Sequence, residues 1–224
     1  MQQHLFIDAD DTLWENNIYF EQATHDFVQF LNHSSLTVPE VHAVLDEIER
    51  EMGYGSANYT KSLVETYRRL AENEVSDEEL AKVRNFGERI MHHPMQLLAG
   101  VRETLEYLSR RHVLILLTKG DQEEQQLKIE SSGLQEYFQH ILIVPEKDTA
   151  TYQTLAQELV LDRALTWMIG NSPRSDINPA LRAGLNAVFI PHSRTWHLEQ
   201  QEIRHEGEGQ LLTLKSFAEL REHF

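Results

Sequence analysis

Two aspartates separated by a single residue, Asp8 and Asp10, stand at the end of the first apolar run, in the order Asp8-Ala9-Asp10-Asp11-Thr12-Leu13. Side chains alternate along an extended chain, so both carboxylates leave it on the same side. Three acids this close repel one another unless a cation binds or a proton is shared. The same letters would also serve as a plain acidic turn closing a strand. A second stretch with chemical content is Thr118-Lys119-Gly120-Asp121, at the end of another apolar run. A hydroxyl at a strand end, followed by a helix whose free amides face an anion, is a phosphate cradle. An ordinary strand-to-helix turn with Asp121 as its cap is the other reading. Lys147 and the segment Gly170-Asn171-Ser172-Pro173-Arg174-Ser175-Asp176 each follow further apolar runs.

The runs that carry these residues are short and β-branched: Leu5 to Ile7, Val113 to Leu117, Ile141 to Val144, Leu165 to Ile169 and Ala187 to Ile190. Continuous apolarity predicts strands buried on both faces, as in a parallel sheet. Helical patterns lie between them, with Val101, Leu105 and Leu108 on one face and Tyr152, Leu155, Ala156 and Leu159 on another. From about residue 97 the alternation reads as βαβ units, hence a doubly wound α/β core. Ligands of such sheets bind at the carboxyl ends of the strands, where the chemical residues lie. Residues 15–94 break the rhythm. They show four amphipathic helical stretches and no strand, and Thr37-Val38-Pro39-Glu40 and Ser76-Asp77-Glu78-Glu79 resemble helix starts. The chain therefore divides into a core domain, 1–14 with 95–224, and an inserted helical domain, 15–94.

Asp-x-Asp-x-Thr after a first hydrophobic strand resembles the first motif of the haloacid dehalogenase superfamily. The resemblance extends, in order, to Thr118-Lys119-Gly120-Asp121, Lys147 and the Gly170–Asp176 segment, and so covers nearly the whole chain. It implies that Asp8 is a nucleophile and that Asp10, held neutral by its surroundings, is the general acid and base. Thr118 and the Lys119 amide would hold phosphoryl oxygens, and Lys147 would neutralise the nucleophile and the transferring group. Magnesium (Mg2+) would be bound by Asp8, Asp10, Asn171 and Asp176. Asn171 stands where the family has an acid; its amide carbonyl is still a hard oxygen ligand, without charge. The inserted helices resemble the family's C1-type cap, and within it Tyr54 and Lys61 are the candidate substrate contacts. An Asp two residues after the nucleophile is typical of the family's phosphatases and phosphomutases, so the expected reaction is hydrolysis of a small phosphorylated metabolite. A phosphomutase, a phosphonatase, a dehalogenase or a non-catalytic binding protein of the same fold are the alternatives.

Composition sets limits. With no cysteine, disulfides, thiolate zinc sites and cysteine nucleophiles are excluded. A formal net charge of −16 without a basic cluster argues against a nucleic-acid polymer as partner. No apolar run approaches the length of a membrane span, and the amino terminus lacks the pattern of a signal peptide, so a cytoplasmic monomer or homodimer with no membrane partner is expected. The histidines, His192 and His197 among them, show no ligand spacing, and Trp14 could wall the site or simply pack.

Overall fold

The computed structural model describes residues 1–205 and 207–224. In chain order the elements are β1 (His4–Ile7), α1 (Asn17–Leu31), α2 (Val38–Met52), α3 (Ser56–Leu70), α4 (Asp77–Glu88), α5 (Val101–Ser109), β2 (Val113–Lys119), α6 (Gln122–Ser132), β3 (His140–Val144), α7 (Thr149–Glu158), β4 (Thr166–Gly170), α8 (Asn178–Arg182), β5 (Asn186–Phe189) and β6 (Leu211–Thr213). They fall into two compact units, Met1–Asn17 with Met95–Phe224, and Ile18–Pro94.

The first unit is built on one parallel sheet in the order β3-β2-β1-β4-β5-β6. The expected doubly wound α/β architecture is what the chain adopts. The middles of its inner strands β1, β2 and β4 are continuously apolar because both faces are covered. In β1, Leu5 and Ile7 enter one apolar layer with Val101, Leu105 and Leu108 of α5 and Ile129 of α6. Phe6 enters the opposite layer with Tyr152, Leu155 and Ala156 of α7 and Ala180 of α8. The strand order reverses direction at β1, which makes its carboxyl end the crevice where such sheets hold ligands. The edge strand β6 escapes sequence reading, since Leu211-Leu212-Thr213 is too short to show a pattern.

The second unit holds α1 to α4 around Phe27, Val41, Leu45, Tyr59, Leu63, Leu80 and Val83. Two of its helix starts are fixed by the expected caps. Glu40 accepts hydrogen bonds from the Thr37 amide and hydroxyl at 2.8 and 2.7 Å, and Glu79 does the same for Ser76. Gly87 lets α4 approach α3, because a Cβ there would lie 2.2 Å from the Thr60 hydroxyl.

Candidate active site

The end of β1 places Asp8 directly beside β2 and β4, with its amide donating to the Ile169 carbonyl at 2.9 Å. Lys147 comes from the loop after β3, and its ammonium sits 2.6 Å from Asp8 Oδ1 and 2.6 Å from Asp176 Oδ1. All three are buried, at 6%, 3% and 0% exposure. Burial works against the charge of Lys147, yet Asp176 and Asp8 hold its ammonium well above the usual lysine range. Burial, helped by the neighbouring Asp8 carboxylate, pushes Asp176 up to about 7 against the pull of Lys147. With Asp176 ionised, one ammonium between two carboxylates leaves this pocket net negative.

Asn171, at the end of β4, belongs to the same group. Its Nδ2 donates to Thr195 at 2.9 Å, which turns Oδ1 toward Thr12, and the Thr12 hydroxyl donates to Asp8 Oδ2 at 2.7 Å and lies 3.4 Å from Asn171 Oδ1. Asp176 is carried by a π-helical turn, Pro173–Ile177, capped by Ser172. Its Oδ2 accepts from the Ser172 amide at 2.9 Å. Gly170 is required here, since a Cβ would stand 2.2 Å from that same oxygen. Asp8, Asn171 and Asp176 thus present hard oxygen donors in a pocket with surplus negative charge, which is the chemistry that suits magnesium.

Asp10 is held differently from the expectation. Its carboxylate accepts from Trp14 Nε1 at 2.7 Å, from Gln125 Nε2 at 2.9 Å and from the Lys128 ammonium at 2.6 Å. Burial opposes its charge, but the Lys128 cation and these hydrogen bonds outweigh it and lower Asp10 below the usual carboxylate range. Its surroundings keep it ionised, not neutral. Trp14 is fully buried and serves as one of these donors, so it does more than pack.

Two further placements bear on the phosphate cradle expected at the end of β2. The Lys119 side chain turns to Glu146, Ser175 and Glu199 at 3.1, 2.9 and 2.8 Å, leaving only its main chain for any role in holding phosphate. The Glu124 amide at the start of α6 is taken by Asp121 Oδ1 at 2.9 Å, so that donor does not wait for an anion. The Thr118 hydroxyl is buried and donates to Gln125 Oε1 at 3.1 Å. Tyr54 and Lys61 lie in the helical unit. Lys61 is exposed and donates to Asn58 one turn away, and the Tyr54 carbonyl accepts from the Asn58 amide group.

His192, unremarkable in sequence, is brought between two acids: Nδ1 lies 3.9 Å from Asp11 and Nε2 3.5 Å from Glu15. One ligand atom from each of the three lies within 4.8 Å of the others. The two ring nitrogens face different carboxylates. Burial raises Asp11 to about 7.

A family model for haloacid dehalogenase-like hydrolases matches residues 3–184. The chain belongs to that family. It is 30% identical to a haloacid dehalogenase-like family hydrolase of known structure from Xanthomonas campestris, with a TM-score of 0.85 over 99% of this chain and 94% of that one. Two more distant family folds are a 2-haloacid dehalogenase from Pseudomonas syringae (21% identity, TM-score 0.62, 99% and 97% covered) and a predicted phosphoglycolate phosphatase from Haemophilus somnus (17%, 0.66, 99% and 97%). A search of curated proteins finds no match.

Sequence reading missed Gln125, Lys128 and Glu199. Gln125 joins Thr118 to Asp10, and Lys128 reaches Asp10 from the same helix. Glu199 accepts from Lys119, Ser172 and Ser175, tying the end of β2 to the turn that carries Asp176. The i, i+3 spacing of Gln125 and Lys128 was the one signal available, and it matters only once the facing element is known.

Proposed function

We propose that this hydrolase is a magnesium-dependent phosphatase acting on a small phosphorylated metabolite in the cytoplasm through an aspartyl-phosphate at Asp8. The observation that carries the reading is the Lys147 ammonium held 2.6 Å from both Asp8 and Asp176, with a second, separately held carboxylate at Asp10. Magnesium bound by Asp8, Asp176, Asn171 and the Asp10 main chain would supply positive charge for the phosphoryl oxygens. Asp8 attacks phosphorus, and the bond to the leaving oxygen breaks. Lys147 keeps the nucleophile oriented and meets the charge on the equatorial oxygens, with Thr118 adding a hydroxyl donor. Asp10, as a carboxylate, takes a proton from the water that then hydrolyses the aspartyl-phosphate. Its role as acid toward the leaving alcohol requires that it first take up a proton from solvent. The Ile18–Pro94 helices are assigned the cap role, with Tyr54 and Lys61 as substrate contacts, on family resemblance alone.

Asp10 favours phosphate over halide chemistry, because a halide leaves without a proton and needs no such group. The test is turnover of p-nitrophenyl phosphate and a panel of phosphorylated metabolites with Mg2+, with EDTA, and in parallel with 2-chloropropionate. Magnesium-dependent phosphate release is expected, with no chloride release. Chloride release without phosphate release would replace this reading by a dehalogenase.

A further inference from the structure

We propose that Lys128 is a catalytic residue of this site, its ammonium contacting the oxygen that leaves phosphorus. The inference rests on the phosphatase reading and deepens it.

A lysine four residues after Glu124 on a helix ordinarily forms a surface pair worth a few tenths of a kcal/mol. That contact exists at 3.7 Å, but it is the weakest that Lys128 makes. The ammonium instead lies 2.6 Å from Asp10 Oδ2 and 3.1 Å from Asn16 Oδ1, residues more than a hundred positions away in the chain. Its side chain is only 11% exposed. Ordering and desolvating a lysine in this way costs about 1.5–2 kcal/mol in rotamer freedom alone, which a surface pair does not offset.

The place it reaches is chemically specific. Displacement at phosphorus runs in line, so the leaving oxygen emerges on the side away from Asp8 and is met by Asp10. An ammonium hydrogen-bonded to Asp10 Oδ2 is one hydrogen-bond length from the same leaving oxygen. It carries three donors. Asp10 and Asn16 take two; the third faces the looser Glu124 contact at 3.7 Å and turns from it to the substrate. Gln125, one turn earlier, bridges Asp10 Oδ2 and Thr118, so this face of α6 runs from the phosphoryl side to the leaving-group side. As the bond to phosphorus breaks, its electron pair stays on the leaving oxygen. Lys128 meets that charge, and the proton that completes the alcohol is drawn from solvent, Asp10 taking it up and passing it on.

A residue that only supports the fold would lower the rates of all substrates alike. A residue that meets leaving-group charge matters more as that group becomes more basic. The experiment compares kcat/KM of wild type, Lys128→Met and Lys128→Arg on a series of aryl phosphates from p-nitrophenyl to phenyl phosphate at saturating Mg2+. Lys128→Met is expected to lose less than about 10-fold on p-nitrophenyl phosphate and about 100-fold or more on phenyl phosphate, with Lys128→Arg restoring most of the difference. If Lys128→Met is unfolded by circular dichroism, Lys128→Gln carries the same comparison. An equal loss across the series, or no loss, overturns the role of Lys128. A folded wild type that turns over no aryl phosphate overturns the phosphatase reading instead.

Discussion

The carboxyl rim of the sheet and the helical unit treat charge in opposite ways. At the rim, Lys147 joins Asp8 and Asp176 across 139 and 29 residues of chain, with all three groups buried. In the helical unit, Lys82 pairs with Glu78 and Arg69 with Glu65, one helical turn apart and in contact with solvent. Local, wet pairs contribute little and tolerate change. Buried, long-range pairs cost so much desolvation that they persist only where the fold holds every partner in place. These buried, long-range pairs lie in the α/β unit, where the proposed chemistry lies.

The largest expected effect comes from the nucleophile. Asp8→Asn should cut magnesium-dependent phosphate release by about 10⁴-fold or more while leaving the circular dichroism spectrum unchanged. Lys147→Met leaves two buried carboxylates facing each other, and urea denaturation without metal should show about 3–5 kcal/mol of lost stability. Glu199→Gln removes one of the two counter-charges of Lys119, Glu146 keeping the other, and weakens the bonds from Ser172 and Ser175, for an expected loss of about 1.5–3 kcal/mol by the same measurement. Lys82→Ala, at the other pole of the comparison, should change stability by less than about 0.5 kcal/mol. A Lys82 effect as large as that of Lys147 would dissolve the contrast between the two regions.

Proton linkage sharpens it further. Asp176, Asp11 and Glu49 are raised, each to about 7 and chiefly by burial. A carboxyl with a raised folded-state pKa takes up protons on folding. Its contribution is complete below the unfolded value near 4 and is lost as pH rises through about 7. The metal-free protein should therefore lose melting temperature between pH 5 and pH 8. Magnesium, which favours the ionised Asp176, should recover more of it at pH 8 than at pH 5. Asp176→Asn should remove most of that magnesium response, and Glu49→Gln, in the helical unit, should leave it intact.

What could be read from sequence follows the same division. β1 to β5 declare themselves because each carries a continuous apolar run, and the capped starts of α2 and α4 depend on residues three apart. Asp8, Thr118, Lys147 and Asp176 are legible because each lies at or a few residues beyond the end of its own strand, so order along the chain stands in for proximity. Lys128, Gln125 and Glu199 are not. Their partners are set by which face of α6 meets Asp10 and by how the irregular segment around Trp196 folds back, and neither leaves a period in the sequence. The charge state of Asp10 is hidden in the sequence for the same reason, since the cation beside it lies 118 residues away.

The most direct test of the proposed chemistry is to quench the enzyme in acid during turnover of p-nitrophenyl phosphate with Mg2+ and map the phosphorylated peptide by mass spectrometry. One phosphoryl group on the peptide containing Asp8 is expected, absent in Asp8→Asn and absent with EDTA. Undiminished turnover by Asp8→Asn, or a phosphoryl group mapped to any other residue, would contradict it.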